Sequence, residues 1–237
     1  NYLKQLASVV AGVLLVLGLG AGGALAKTDL LVYTAIEADE LAMFKREFEK
    51  DYPDINVKWV RDSTGIVTSK LLAEKDTPRA DIVGGLAATS LVLLGNEGYF
   101  QGYAPKGLNK IEKKYYDSKN NPPQWVGQRA WIASVCYNTG EAGKYNLPLP
   151  TSWADLVKPV YKGHVIMPNP NSSGTGFLDV SSWIQMQGEK AAWKFMDDLH
   201  VNIARYTHSG SKPCKLAARG EIPIGVSFAY RGAKSKN

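Results

Sequence analysis

The stretch "DLLVYTAIEADELAMFKREFEKDYPDINVKWV", residues 29–60, decides the fold class. It opens with the β-prone run "DLLVYTA" and continues with a segment in which Leu41, Phe44 and Phe48 recur at helical spacing before Pro53. The closing "INVKWV" alternates apolar and polar side chains, which is the period of a strand. A strand, a helix and a second strand in this order predict a β-α-β unit and a parallel sheet covered by helices.

The same alternation of strand-like and helix-like segments continues after residue 60. The polar segment 101–125 interrupts it, and strand character begins again at "RAWIASVCYN". A helix near 151–157 and a last strand at 222–230 belong to this second series. We therefore predict an α/β protein with two similar lobes, an N-terminal lobe over 27–128 and a C-terminal lobe over 129–237.

The first 26 residues have the pattern of a targeting segment. A single Lys4 precedes an apolar run that ends in Ala24-Leu25-Ala26. A basic start, an apolar centre and a small-x-small exit are typical of a secretory signal peptide, with cleavage expected after Ala26. The alternative is a membrane anchor, because about 20 apolar residues can span a bilayer. The Ala-x-Ala exit favours cleavage, and export to the periplasm is the prediction.

Composition excludes some functions and leaves others open. The 237 residues carry a formal net charge of +6, and no basic run is interleaved with aromatic side chains, so nucleic acid is not an expected partner. The two cysteines, Cys136 and Cys214, can form one disulfide in an exported protein. Two buried free thiols are the alternative.

Three turns rich in hydroxyl and glycine residues are the candidate binding site. The first turn of a helix carries unpaired N–H groups and a partial positive charge, glycine lets the backbone approach a ligand, and hydroxyls donate hydrogen bonds to it. A single such turn is more often a plain helix N-cap. Three of them together predict an anion site in the cleft between the lobes, formed by Ser63-Thr64-Gly65, Ser172-Ser173-Gly174-Thr175-Gly176 and Ser209-Gly210-Ser211.

Glu37 is the candidate acidic residue of the same site. It follows the first predicted strand directly, whereas Asp39 and Glu40 fall at a helix start, where acids stabilise the helix dipole. A carboxylate that faces an anion pocket suggests a zwitterionic ligand with a cationic group near Glu37.

The sequence favours capture of a ligand over catalysis. None of the motifs G-x-S-x-G, H-E-x-x-H or C-x-x-C occurs, and His200 and His208 do not have metal-ligand spacing. We therefore predict no catalytic residue, no metal site and no cofactor. A secreted hydrolase of phosphonates or phosphate esters is the alternative from another class.

The motifs "VYTAIEADE", "STGIVTSKLLAEK", "ADIVGGLAA", "YKGHVIMPNPNSSGTG" and "YTHSGSKPC" together resemble the periplasmic solute-binding proteins of ABC importers. The likeness covers residues 29–232 and is greatest to the branch for 2-aminoethylphosphonate, which is related to the ferric-iron binders. It implies a two-lobed type 2 fold, a membrane permease as partner and a monomer. It also implies that the phosphonate lies on the three turns and that its ammonium lies towards Glu37.

Two departures from that family bear on the ligand and on the chain length. Iron binders of this kind use paired tyrosines late in the second lobe, whereas "SFAYRG" offers only Tyr230, which we include among the ligand-binding residues. Binding of ferric iron, another small anion or a polyamine is therefore the alternative within the fold. Family members also continue beyond the point where this chain stops, so the resemblance implies a chain truncated at its C-terminus.

Overall fold

The computed structural model of this protein describes residues 27–236. The predicted signal peptide, residues 1–26, lies outside the described residues. Over the described range, no helix combines the length and the apolar character needed to cross a membrane.

The first lobe is built on a three-stranded parallel sheet in the order β2-β1-β3. Thr34 pairs with both Arg61 and Gly84, so the carboxyl ends of the three strands lie side by side. Ligands of open α/β sheets bind at this edge. The elements are β1 (Thr28–Thr34), α1 (Ala38–Asp51), β2 (Ile55–Arg61), α2 (Thr64–Ala73), β3 (Ile82–Gly84) and α3 (Ala88–Asn96).

The second lobe is built on a four-stranded sheet in the order β4-β7-β5-β6. Strand β5 runs parallel to β6 and β7, and β4 runs antiparallel to β7. The elements are β4 (Ala133–Tyr137), α4 (Thr139–Lys144), β5 (Val165–Pro168), α5 (Gly174–Gln187), α6 (Glu189–Asn202), β6 (Ile203–Thr207), α7 (Lys212–Ala218), β7 (Ile224–Phe228) and α8 (Ala229–Ser235).

Each sheet packs its own apolar core. In the first lobe, Tyr33 of β1 is buried against side chains of α2 and α3, and its hydroxyl donates to the Glu74 carboxylate at 2.9 Å. In the second lobe, Trp183 is buried and makes edge-on contacts with Trp153 and Phe195, with ring centroids 5.5 and 5.1 Å apart. Such buried aromatic pairs stabilise a core by about 0.5–1.5 kcal/mol beyond their area.

The β-α-β prediction for residues 29–60 is confirmed. The helix expected near 151–157 is present as a short 3₁₀ helix, Trp153–Val157, which ends before Lys158 because the residue before a proline, here Pro159, is disfavoured in helical conformation. One local prediction is wrong. The last strand ends at Phe228, so Tyr230 lies in the first turn of α8.

Candidate functional site

A cavity of about 1380 Å³ extends from the apolar face of the first sheet, where Leu30, Val57 and Trp59 line it, to the carboxyl ends of the strands, where residues of both lobes line it. We call this second part the cleft. Its walls include most of the residues predicted to bind a ligand, namely Glu37, Ser63, Thr64, Ser173, Gly174, Thr175, Ser209 and Tyr230. Gly65, Ser172 and Ser211 were also predicted but are not among the lining residues. The structure thus brings the three turns to one place without giving all their residues the same role.

The first turn connects β2 to α2. Ser63 occupies the N-cap position of α2 and is 5% exposed, but its side chain makes no capping hydrogen bond. Gly65 instead contacts the second lobe, since its N–H donates to the Ser172 carbonyl at 3.0 Å and a Cβ at this position would lie 2.0 Å from the Asn171 carbonyl oxygen. Gly65 therefore allows the two lobes to touch, while Ser63 is left to face the cleft.

The second turn connects β5 to α5, and two of its hydroxyls have structural partners. Ser173 caps α5 by accepting hydrogen bonds from the N–H groups of Thr175 and Gly176, at 3.2 and 3.3 Å. Ser172 donates to the His208 carbonyl at 2.8 Å. The plain N-cap interpretation therefore holds for Ser173, and Thr175, which is 7% exposed, is the hydroxyl of this turn best placed for a ligand.

The third turn packs directly on the second. A Cβ added to Gly210 would lie 2.3 Å from Thr175 Oγ1, so only glycine allows this approach. The turn is held from below by Ser227, whose hydroxyl donates to the Gly210 carbonyl at 2.6 Å. Ser211 is buried and makes no capping bond to α7. The sequence predicted Gly210 as part of the third turn, and in the structure it sets the distance between the second and third turns.

Glu37 lies in the cleft wall but is surrounded by cations of the protein. Its carboxylate is 2.5 Å from Arg231 Nη2, 3.6 Å from Lys215 Nζ and 3.8 Å from Arg61 Nη2. The side chain of Arg231 is only 4% exposed and also binds Asp39. A ligand ammonium at Glu37 competes with these partners, and the predicted contact between the two stays a prediction.

Two arginines that line the cleft were missed by the sequence analysis. Arg61 is the last residue of β2, and its Nε donates to the Ile36 carbonyl at 3.0 Å. Arg129, which precedes β4, binds the Glu40 carboxylate at 3.0 and 3.1 Å. The position of Arg61 at the carboxyl end of a parallel strand, two residues before Ser63, was a signal that could have identified it.

The lobes also meet through a histidine. His208 Nε2 lies 2.6 Å from Asp62 Oδ1, so an imidazole of the second lobe bonds to a carboxylate of the first. Both side chains are exposed at the rim of the contact, with 56% and 42% of their surface accessible. This pair and the hydrogen bond from the Gly65 N–H to the Ser172 carbonyl hold the two lobes in contact.

The cysteines lie on one side of the second lobe. Cys136 of β4 and Cys214 of α7 form a disulfide with their Cα atoms 5.3 Å apart. Elsewhere in residues 27–236, no group of three His, Cys, Asp or Glu side chains is arranged to hold a metal ion.

Two lobes, each a β-sheet with its helices, lie on either side of a cleft lined by hydroxyl-bearing turns. This arrangement defines a two-lobed, type 2 periplasmic-binding-protein fold. Residues 79–237 match the family described as bacterial extracellular solute-binding protein, and the chain belongs to this family.

Curated relatives agree with this assignment. An uncharacterized protein of Haemophilus influenzae is 30% identical over 230 residues, which are 96% of this chain and 66% of the relative. A probable ABC transporter periplasmic-binding protein of Sinorhizobium fredii, y4fP, is 26% identical over 154 residues, or 61% of this chain and 40% of the relative. The chain thus spans 66% or less of the length of these relatives.

Solved structures show the same fold. The periplasmic binding protein AfuA of Actinobacillus pleuropneumoniae, with exogenous fructose-6-phosphate bound, superposes with a TM-score of 0.80 at 29% identity over 89% of this chain and 66% of AfuA. Iron-bound HitA of Pseudomonas aeruginosa superposes with a TM-score of 0.73 at 21% identity, over 87% of this chain and 65% of HitA. The HitA likeness concerns the fold alone.

Proposed function

We propose that this protein is the extracytoplasmic substrate-binding component of an ABC importer and binds an organophosphorus anion in the cleft between its lobes. It works in the periplasm as a monomer and delivers the ligand to a membrane permease. The ligand expected from the sequence is 2-aminoethylphosphonate.

One observation carries this proposal. The N-termini of α2 and α5 face one cleft together with the buried side chains of Ser63, Thr64 and Thr175. The N–H groups of Gly65, Thr175 and Gly176 already have partners in the protein. The site therefore offers a phosphorus oxyanion its hydroxyl donors and the positive ends of two helix dipoles. Arg61 adds a fixed positive charge to the same wall.

The relatives support the transport role and widen the choice of ligand. The name of y4fP describes a probable ABC transporter periplasmic-binding protein. The AfuA structure holds fructose-6-phosphate, a phosphate ester with a neutral, hydroxyl-rich tail. A phosphate monoester is therefore the second candidate ligand, and the test below distinguishes it from the phosphonate.

The surroundings of the histidines support capture over hydrolysis. A serine nucleophile needs a base within hydrogen-bond reach. The Asp62 carboxylate can orient the His208 ring as a base, but within residues 27–236 no serine hydroxyl bonds to that ring, and the His200 imidazole lies 2.8 Å from the Tyr206 hydroxyl. Ser172 contacts the backbone carbonyl of His208 and not its ring.

Calorimetric titration of the purified protein tests the proposal. The ligands are 2-aminoethylphosphonate, fructose-6-phosphate, inorganic phosphate and ferric citrate, each also checked for product release. We expect saturable binding of an organophosphorus anion and no product. Binding of iron alone contradicts the proposal, and release of phosphate or of the amine favours the hydrolase.

Matched variants locate the binding in the cleft. Ser63→Ala and Thr175→Ala each remove a hydroxyl from the wall and should weaken binding by about 1–3 kcal/mol. Ser69→Ala is the control, because Ser69 lies on α2 but is exposed and does not line the cleft. Equal affinity in all three variants refutes the proposed site.

A further inference from the structure

We propose that Arg61 binds the phosphorus oxyanion of the ligand directly and that Glu37 positions this arginine instead of binding the ligand's ammonium group. The inference rests on the proposed function and deepens it, because it states which end of the ligand the charged residues of the cleft select. It reverses the role that the sequence predicts for Glu37.

The place of Arg61 in the fold puts its guanidinium at the cleft. Arg61 ends β2 at the edge where the three strands of the first sheet end, and it lines the cleft, as Ser63 and Thr64 do. Its side chain is 26% exposed, so it is held by the protein and still reaches the cleft. An arginine in this position can supply the full positive charge that helix N-termini and hydroxyls lack.

The contacts of Arg61 leave donors free for an anion. Its Nε donates to the Ile36 carbonyl at 3.0 Å, and its Nη2 lies 3.8 Å from Glu37 Oε1. A guanidinium carries five N–H donors in a planar fork. Anchoring through Nε fixes the plane of the fork, and the remaining donors match two oxygens of a phosphate or phosphonate.

Glu37 is already neutralised by cations that belong to the protein. Arg231 approaches it at 2.5 Å and Lys215 at 3.6 Å, and the carboxylate side chain is only 12% exposed. Together with Arg61, three cationic side chains lie within 3.8 Å of this one carboxylate. A ligand ammonium placed there meets net positive charge, whereas an oxyanion near Arg61 is attracted by it.

A second observation points to the same ligand. Ser63 is 5% exposed, lines the cleft and makes no capping bond to the helix it precedes. A buried hydroxyl that faces a cavity in this way is available to a polar ligand. Because Ser63 follows Arg61 by two residues, both side chains can bind one anion.

Binding of two phosphonates that differ only in the amine group tests the inference on the full chain. These are 2-aminoethylphosphonate and ethylphosphonate, which lacks the amine. We expect the wild type to bind both within about threefold of each other, because neither Arg61 nor Glu37 selects the amine. Arg61→Gln should weaken binding of both by about 10–100-fold, the value of a charge-assisted bidentate contact.

Three further variants make the result specific. Arg61→Lys keeps the charge without the fork and should recover part of the affinity. Glu37→Gln should change the affinities for the two ligands by the same factor, which a role in ammonium binding would not do. Arg46→Gln is the control, because Arg46 is an exposed arginine of α1 and does not line the cleft; it should leave binding unchanged.

Each outcome decides the question. If the wild type binds an organophosphorus anion and both Arg61 variants bind it equally well, the inference is wrong and the proposed function stands. If the wild type prefers the amine-bearing ligand by more than tenfold and Glu37→Gln removes that preference, Glu37 selects the ammonium and its positioning role is overturned. If the wild type binds no organophosphorus anion, the proposed function fails and the inference fails with it.

Discussion

The ion pairs that Arg231 makes across the lobes give the sharpest prediction about stability. Its guanidinium is 4% exposed and contacts Glu37 at 2.5 Å and Asp39 at 3.2 and 3.3 Å. Removing one partner of a buried ion pair costs about 3–5 kcal/mol. The expected loss for Arg231→Met is lower, about 2–3 kcal/mol, because Asp39 is 41% exposed and keeps Lys234.

Urea unfolding measures this loss against a matched control. Arg46→Met removes an exposed arginine, 70% accessible and paired with Glu47, and should change the free energy of unfolding by about 0.5 kcal/mol or less. The Arg231 variant should unfold at a clearly lower urea concentration. If it is no less stable than the Arg46 variant, the reasoning about the buried pair is refuted.

The pH dependence provides an independent check on the same contact. Hydrogen bonds from Arg231 and Lys234 hold the pKa of Asp39 well below its usual value. A carboxyl with a depressed pKa adds stability above its unfolded-state pKa of about 4, and this stability is lost as the pH falls through the lower folded value. Between about pH 5 and pH 3, the free energy of unfolding should therefore fall further for the wild type than for Arg231→Met. Parallel pH profiles contradict this.

Three further predictions concern single features. Burial raises the pKa of Asp179 well above its usual value, so above a pH of about 4 the unfolded chain loses this proton before the folded protein does, and the wild type loses stability. Asp179→Asn has no such proton, so its stability relative to the wild type should rise as the pH rises to 7. A stability difference between the two proteins that does not change with pH contradicts this. Reduction of Cys136–Cys214, which closes a loop across a sequence separation of 78, should lower the free energy of unfolding by about 4 kcal/mol, and an unchanged thermal midpoint would contradict that. Gly210→Ala should cost about 1–3 kcal/mol in urea unfolding, because the new Cβ collides with Thr175, and wild-type stability would show that the turns can separate.

Local sequence pattern was sufficient for the architecture and for the position of the turns. Helical spacing in "ADELAMFKREFEKDY" and strand alternation in "INVKWV" are set within a few residues, and the structure has α1 and β2 there. The Ser63-Thr64-Gly65 turn was correctly placed at a helix start, because small hydroxyl residues favour this position.

The roles of single residues could not be predicted in the same way. Glu37 and Arg231 are 194 residues apart in the chain, and nothing in the local pattern around Glu37 indicates a buried arginine as its partner. Ser63 and Ser173 look alike in sequence, yet only Ser173 caps its helix. Such differences depend on tertiary contacts, and these also place Tyr230 in a helix where the sequence predicted a strand.

A crystal structure of the protein with 2-aminoethylphosphonate or fructose-6-phosphate is the most direct test of the central claim. We predict phosphorus density in the cleft, with its oxygens within hydrogen-bond distance, about 2.7–3.2 Å, of Ser63, Thr175 and Arg61. A ligand whose phosphorus lies away from these side chains, or a cleft that takes neither compound at saturating concentration, contradicts it.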